Sequence, residues 1–170
     1  LDSKGKGISI LLQETGTISG MTVAENIYLG KEHLFTRFGT VDKKKLNEQA
    51  QRVIDEMGLE VAATDLIDQL SFENRKLVEV IRAMTDNPKL LIVDETTTAL
   101  SQYGRDKIYD IIKQLKAENK SVIFITHDLN ELMDVQGGID DNEVAKCGLG
   151  CYTGGFTNPT KTQDENAGNE

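Results

Sequence analysis

Three short apolar runs constrain the fold more than any other feature of this chain: Gly7-Ile8-Ser9-Ile10-Leu11-Leu12, Leu90-Leu91-Ile92-Val93 and Val122-Ile123-Phe124-Ile125. Each is nearly continuous and of strand length, the pattern of a β-strand covered on both faces. The segments between them carry helical periodicity and are long enough to cross back over a sheet. Buried strands joined by helical crossovers predict an α/β domain, a mainly parallel sheet flanked by helices. In such sheets ligand chemistry collects beyond the carboxyl ends of the strands. Gln13, the pair Asp94-Glu95, and His127 follow the three runs at those ends.

The helices have legible ends. Thr22-Val23-Ala24-Glu25 has the spacing of a capping box, in which the Thr22 hydroxyl accepts from the Glu25 backbone and the Glu25 carboxylate reaches back. The helix it opens is expected to run to about Gly30, a natural residue just past a helix end. Asp42 precedes and Gly58 follows a stripe of Leu46, Ala50, Val53, Ile54 and Met57, the spacing of an amphipathic helix. A third helix begins near Ser71, turns Leu77, Val78, Ile81 and Met84 inward, and stops at Asn87-Pro88 because proline disfavours helical geometry before it. A fourth runs from Ser101, with Ile108, Ile111, Ile112 and Leu115 inward, to near Asn119.

At 170 residues and 38% hydrophobic content the chain can bury one core. Its formal net charge of −9 argues against a nucleic-acid surface, which needs clustered Lys and Arg. The one basic run, Lys43-Lys44-Lys45, reads as a solvated helix face. No stretch approaches the roughly 20 apolar residues of a membrane span, and Leu1-Asp2-Ser3-Lys4-Gly5 has no signal-peptide character, so a soluble, cytoplasmic protein is expected. Cys147 and Cys151 lie close together in a polar segment and read as free thiols in a reducing compartment. Residues 136–170 are rich in Gly, Asn, Asp and Thr without apolar periodicity; they read as a loosely packed, disordered or divergent tail to a domain over residues 1–135.

An apolar strand running into Asp94-Glu95 is a Walker B arrangement: the first carboxylate faces a hydrated Mg2+ and the second polarises an attacking water. Alone such a pair is commonplace. With Gln13 upstream and Thr126-His127-Asp128 downstream, the chain resembles the ABC ATPases over residues 7–135, with their motifs in order. The resemblance implies a partial P-loop NTPase-like domain with a helical signature-motif subdomain. It places the Q-loop glutamine at Gln13, the signature motif at Leu70-Ser71-Phe72-Glu73-Asn74, Walker B at residues 90–95 and the switch histidine at His127. It implies Asp94 as the Mg2+ partner, Glu95 as general base, His127 as γ-phosphate sensor, and Gln13 as a metal and water ligand that also couples to a membrane subunit. Ser71 would touch nucleotide held by a second nucleotide-binding domain. The implied cofactors are ATP and Mg2+; the implied partners are that second domain and a membrane permease subunit at the inner face of the cell membrane. Residues 21–30 and 94–100 resemble most the family members that energise uptake of simple sugars.

The chain also departs from that pattern. No Gly-x-x-x-x-Gly-Lys followed by Ser or Thr occurs, and Gly5-Lys6-Gly7 is too short to replace it. That loop supplies the amides and the lysine that hold phosphates. The chain is therefore expected to begin inside the domain, to bind ATP weakly or not at all alone, and to leave apolar strand faces and edges uncovered. Phe72-Glu73-Asn74 stands where the family carries glycine and glutamine, and Glu73 is expected to bring a carboxylate near a partner's triphosphate. Ser101 stands where many members carry the D-loop aspartate, and residues after Val135 lack the expected next strand. Plain structural roles stay open: Gln13 and Ser71 as helix caps, His127 as a strand-end residue satisfying backbone groups, His33 as a surface loop residue. So do two alternatives to an ATPase fragment, a non-catalytic module docking a partner through residues 13–58 and a degenerate remnant without ATPase activity.

Overall fold

The computed structural model describes residues 6–37, 39–97, 99–126, 144–147 and 151–154. In chain order its strands are β1 (Ile8–Leu11), β2 (Thr36–Arg37), β3 (Thr40–Val41), β4 (Leu90–Asp94), β5 (Ser121–Ile125), β6 (Val144–Cys147) and β7 (Cys151–Gly154). The α-helices are α1 (Val23–Ile27), α2 (Lys43–Glu56), α3 (Phe72–Met84) and α4 (Gln102–Ala117). The three apolar runs become neighbouring parallel strands in a five-stranded sheet of order β1-β4-β5-β7-β6. β2 and β3 form a separate antiparallel pair.

Register sorts the apolar side chains onto two faces. Leu11 pairs with Val93 and Val93 with Phe124, while Leu91 pairs with Val122, so these five share one face, and all are buried. α3 covers the β1 end of that face, where the Ser9 hydroxyl donates to Ala83 O, and α4 covers the β5 end, where Tyr109 meets Phe124 edge-on at 6.4 Å. The opposite face is covered less: Ile8, Leu90, Ile92 and Ile123 are half-buried and Ile10 is 48% exposed. Both-face coverage, read from the unbroken runs, is thus complete on one face only. A run of apolar residues records which side chains avoid water, not which neighbour shelters them.

The caps form as their spacing requires. Thr22 and Glu25 make both bonds of the capping box, Asp42 accepts from Lys45 N at 3.1 Å, and Ser71 accepts from Asn74 N at 3.1 Å. α1 ends at Ile27 rather than near Gly30, which sits in the following turn at φ +77°. Its first amides, lacking intrahelical partners, donate to Asp65 O and Ala63 O at 2.9 Å, tying α1 to the segment that leads into α3. Lys43, Lys44 and Lys45 are exposed on α2, and His33 is exposed in a 3-10 turn.

The sheet also extends past residue 135, where no strand was expected. β7 pairs antiparallel with β5, and β6 with β7. Pairing on the free edge of β5 uses backbone groups alone, so it needs no apolar period in the added strands. The rest of that polar segment lies outside the described residues.

Candidate functional site

Three adjacent parallel strands end on one edge of the sheet, and each delivers a polar group there. Gln13 follows β1 and is exposed; Asp94 ends β4 with Glu95 next, both half-buried; buried Thr126 follows β5. His127 lies outside the described residues. Gln13, Asp94 and Glu95 are thereby brought to one end of one sheet. Ser71 is not among them: it caps α3 from its exposed N-terminus, five residues and roughly 7.5 Å of helix before Lys76.

The turn after β4 is held by the sheet. Glu95 has φ 44°, a left-handed conformation that costs a non-glycine residue on the order of 1 kcal/mol, and its N–H donates to Ile125 O at 2.9 Å. The Thr96 hydroxyl donates to Asp94 O at 3.1 Å, with Leu11 O at 3.4 Å and Leu12 O at 3.5 Å, which joins this turn to the end of β1. Thr97 is fully buried, and its hydroxyl finds no partner among the described residues.

The loop after β1 is held differently, by charged side chains of α3. Lys76 Nζ donates to Leu12 O, to Glu14 O at 2.8 Å and to Glu79 Oε2 at 3.0 Å. Glu79 Oε1 accepts from Gly16 N at 3.2 Å, and Arg82 Nη1 donates to Gly16 O at 2.9 Å. Sequence reading missed these residues because Lys, Glu and Arg are ordinarily taken as the solvated side of a helix. No sequence signal marks them: the unbroken buried band over residues 76–81 exists only in the folded chain. A groove of about 520 Å3, lined by Ile8, Ile10, Gly16, Gly30, Glu79 and Arg82 among others, opens beside β1 rather than over the carboxylates.

Glu73 lies in the first turn of α3. Its carboxylate turns toward α4, accepting from Ser101 N at 2.7 Å, and a Cβ at Gly104 would sit 2.9 Å from Glu73 Oε2. The carboxylate thus bonds a backbone amide at the start of α4, and glycine at position 104 leaves it room.

Asp94 and Glu95 fit a hydrated Mg2+, which keeps several waters and takes one or two carboxylates plus substrate phosphates. They do not fit a metal caged by protein alone, since no group of three or more His, Cys, Asp or Glu able to hold an ion exists among the described residues. Among those residues, no helix is long and apolar enough to cross a membrane.

Three parallel strands flanked by helices, with an Asp-Glu pair closing the middle one, are an architecture shared with α/β nucleotide-binding domains. The family model described as ABC transporter matches residues 1–98, and the chain belongs to that family. It is 33% identical over 134 residues to the ribose import ATP-binding protein RbsA of Caldanaerobacter subterraneus subsp. tengcongensis, covering 79% of this chain and 27% of that protein. It is 34% identical over 164 residues to a putative ribose/galactose/methyl galactoside import ATP-binding protein of Halalkalibacterium halodurans, covering 96% of this chain and 30% of the relative. The chain thus spans about three-tenths of the length of these curated relatives. Among solved structures it resembles a dimeric ATP-binding cassette in a post-hydrolysis state bound to ADP and Pi, with TM-score 0.59, 26% identity, and coverage of 75% of this chain and 56% of that one. An inward-facing putative metal-chelate type ABC transporter shares the fold, with TM-score 0.60 and 19% identity over 86% of this chain and 71% of that one.

Proposed function

We propose that this chain is part of the ATP-binding subunit of an importer of simple sugars, and that ATP hydrolysis by the complete protein drives uptake through a membrane permease. The observation that carries the reading is the Asp94-Glu95 pair at the carboxyl end of the sheet's central parallel strand, beside Gln13 and the end of β5. The relatives that are named as sugar import ATP-binding proteins supply the substrate class.

In this reading Asp94 holds a water of the Mg2+ shell, Glu95 accepts the proton of the attacking water, His127 senses the γ-phosphate, and Gln13 binds metal and water while reporting to the permease. Ser71, alone at the exposed tip of α3, faces nucleotide held by a second nucleotide-binding domain. Two such domains then close head to tail on ATP at the inner face of the membrane, where the permease anchors them.

The test is titration of the chain with a fluorescent ATP analogue and Mg2+, alone and with a polypeptide supplying the Gly-x-x-x-x-Gly-Lys loop that these residues lack. Binding in the supplemented series, with turnover lost in Glu95→Gln and His127→Ala, is the expected result. No binding in either series, together with a stable partner complex, overturns the ATPase reading in favour of a non-catalytic docking module.

A further inference from the structure

Lys76 and Glu79 sit in the buried band of α3, with side chains 0% and 6% exposed, and hydrolysis as proposed gives them no task. Charges buried this deeply are costly, and apolar residues of similar volume stabilise a core as well or better. Their placement has a different logic. Lys76, Glu79 and Arg82 recur every third residue, so they rise along one side of α3 with charges ordered plus, minus, plus. The segment after β1 runs across that ladder, and its backbone groups meet it in matching order: the carbonyls of Leu12 and Glu14 on Lys76, the Gly16 amide on Glu79, the Gly16 carbonyl on Arg82. Gln13 stands between the two carbonyls held by Lys76, and Gln13 itself is exposed.

We propose that Lys76, Glu79 and Arg82 form a positioning clamp that fixes the backbone on both sides of Gln13 to α3, so that Gln13 moves with that helix. Its consequence for catalysis rests on the reading of Gln13 as a metal and water ligand; the clamp itself does not. Two further features belong to it. β1 ends the sheet, with β4 its only strand partner among the described residues, so the carbonyls past its end have no second strand to bond and are met by α3 instead. Gly16 is the residue that permits the approach: a Cβ there would lie 2.8 Å from Glu79 Oε1 and 3.0 Å from Arg82 Nη2. α3 also begins at Ser71, so the clamp makes one rigid piece of the proposed contact to the second domain's nucleotide and the loop that carries Gln13.

The test separates positioning from stability by removing both buried charges at once. Lys76→Met with Glu79→Leu keeps the band filled and removes the two most deeply buried charges together; Arg82, 17% exposed, loses the Glu79 oxygen at 3.6 Å but keeps its bond to Gly16 O, so the thermal midpoint is expected to hold. Amide hydrogen exchange at Gly16, whose N–H donates to Glu79 Oε1, is expected to quicken by about tenfold or more, because that acceptor is gone. Unchanged exchange there overturns the clamp. Gly16→Ala gives a second reading with both charges in place: faster exchange of the amide at position 16 supports the clamp, and wild-type exchange overturns it. With the phosphate-binding polypeptide supplied, both variants are expected to need roughly tenfold more Mg2+ for half-maximal turnover while binding the analogue unchanged without Mg2+, a split that mere loss of packing does not produce. Turnover absent even in the wild type counts against the ATPase reading, while the exchange data still decide the clamp.

Discussion

The loops that leave β1 and β4 lie side by side at one edge of the sheet, yet they are held by opposite means. β4 has a strand on each side, so the turn at Glu95 is fixed by Ile125 O and by the Thr96 hydroxyl, neutral groups bonded to neighbouring backbone. Among the described residues β1 has a strand on one side only, and its loop is fixed by a lysine, a glutamate and an arginine from α3. A central strand positions its end residue by the sheet itself; an edge strand must borrow from whatever packs above it. The neutral anchor ties Glu95 to the sheet, whereas the charged one ties Gln13 to a helix.

The largest expected effect probes the charged anchor. Lys76→Met alone strips the buried Glu79 carboxylate of its nearer cation and leaves it Arg82 at 3.6 Å and the Gly16 amide, so the cost is expected at about 3 kcal/mol, the lower end of the range for breaking a buried pair. Urea unfolding followed by far-UV circular dichroism measures it. A cost below roughly 1 kcal/mol, the range of exposed ion pairs, breaks the comparison, since the loop would then need no charge to hold it.

Glu95→Gly sharpens the neutral side. Glycine adopts φ 44° without the steric cost of a side chain, so stability is expected to hold or to rise by up to ~1 kcal/mol. Turnover of the supplemented protein is expected to fall by roughly 100-fold or more with the general base gone. Stability and activity moving in opposite directions would mark Glu95 as strained for a purpose. A loss of stability would show that its carboxylate, rather than the backbone bond to Ile125, anchors the turn.

The same division decides what the sequence could disclose. The strands, the four helices and their caps were legible because apolar period and capping spacing are local, as Thr22 with Glu25 and the stripe from Leu46 to Ile54 show. Asp94 and Glu95 were legible because a strand of buried residues points straight to them. Lys76 and Glu79 were not, since their burial depends on a loop sixty residues earlier that folds across them. The bond from the Ser101 amide to Glu73 was hidden for the same reason: the two are neighbours only in three dimensions. The strands β6 and β7 escaped notice because edge pairing draws on backbone that every residue has.

A third expected effect concerns pH at the far end of the β1 loop. The Thr22 amide bonded to Glu25 lowers that carboxyl's pKa below the ordinary range, with the Lys43 ammonium at 3.3 Å helping and partial burial opposing. A depressed carboxyl stabilises the fold above its unfolded pKa, about 4.3 for glutamate, and the contribution drains away as pH falls through the lower folded value. Thr22→Ala is expected to cost about 1 kcal/mol at neutral pH. Glu25→Gln is expected to flatten the loss of stability below about pH 4.3 relative to wild type. If α1 stays equally stable across that range in both proteins, the loop's far end is held by Asp65 O and Ala63 O instead, making it neutral like the β4 turn.

The smallest expected effect falls on Thr97. Its buried hydroxyl has no partner among the described residues, and a polar group left unbonded in a core opposes folding. Thr97→Val keeps the shape and deletes the unmet group, so the midpoint of unfolding should stay put or rise slightly, within about 1 kcal/mol. Set beside Lys76→Met, this gives two buried polar deletions a few residues from the same sheet edge with costs of opposite sign. The difference follows from partnership: removing Lys76 takes the nearer cation from Glu79 and the donor from two carbonyls, whereas removing the Thr97 hydroxyl deprives no group among the described residues. A clear loss in Thr97→Val would mean that the turn after β4 also depends on a side-chain bond, and the contrast between the two strand ends would dissolve.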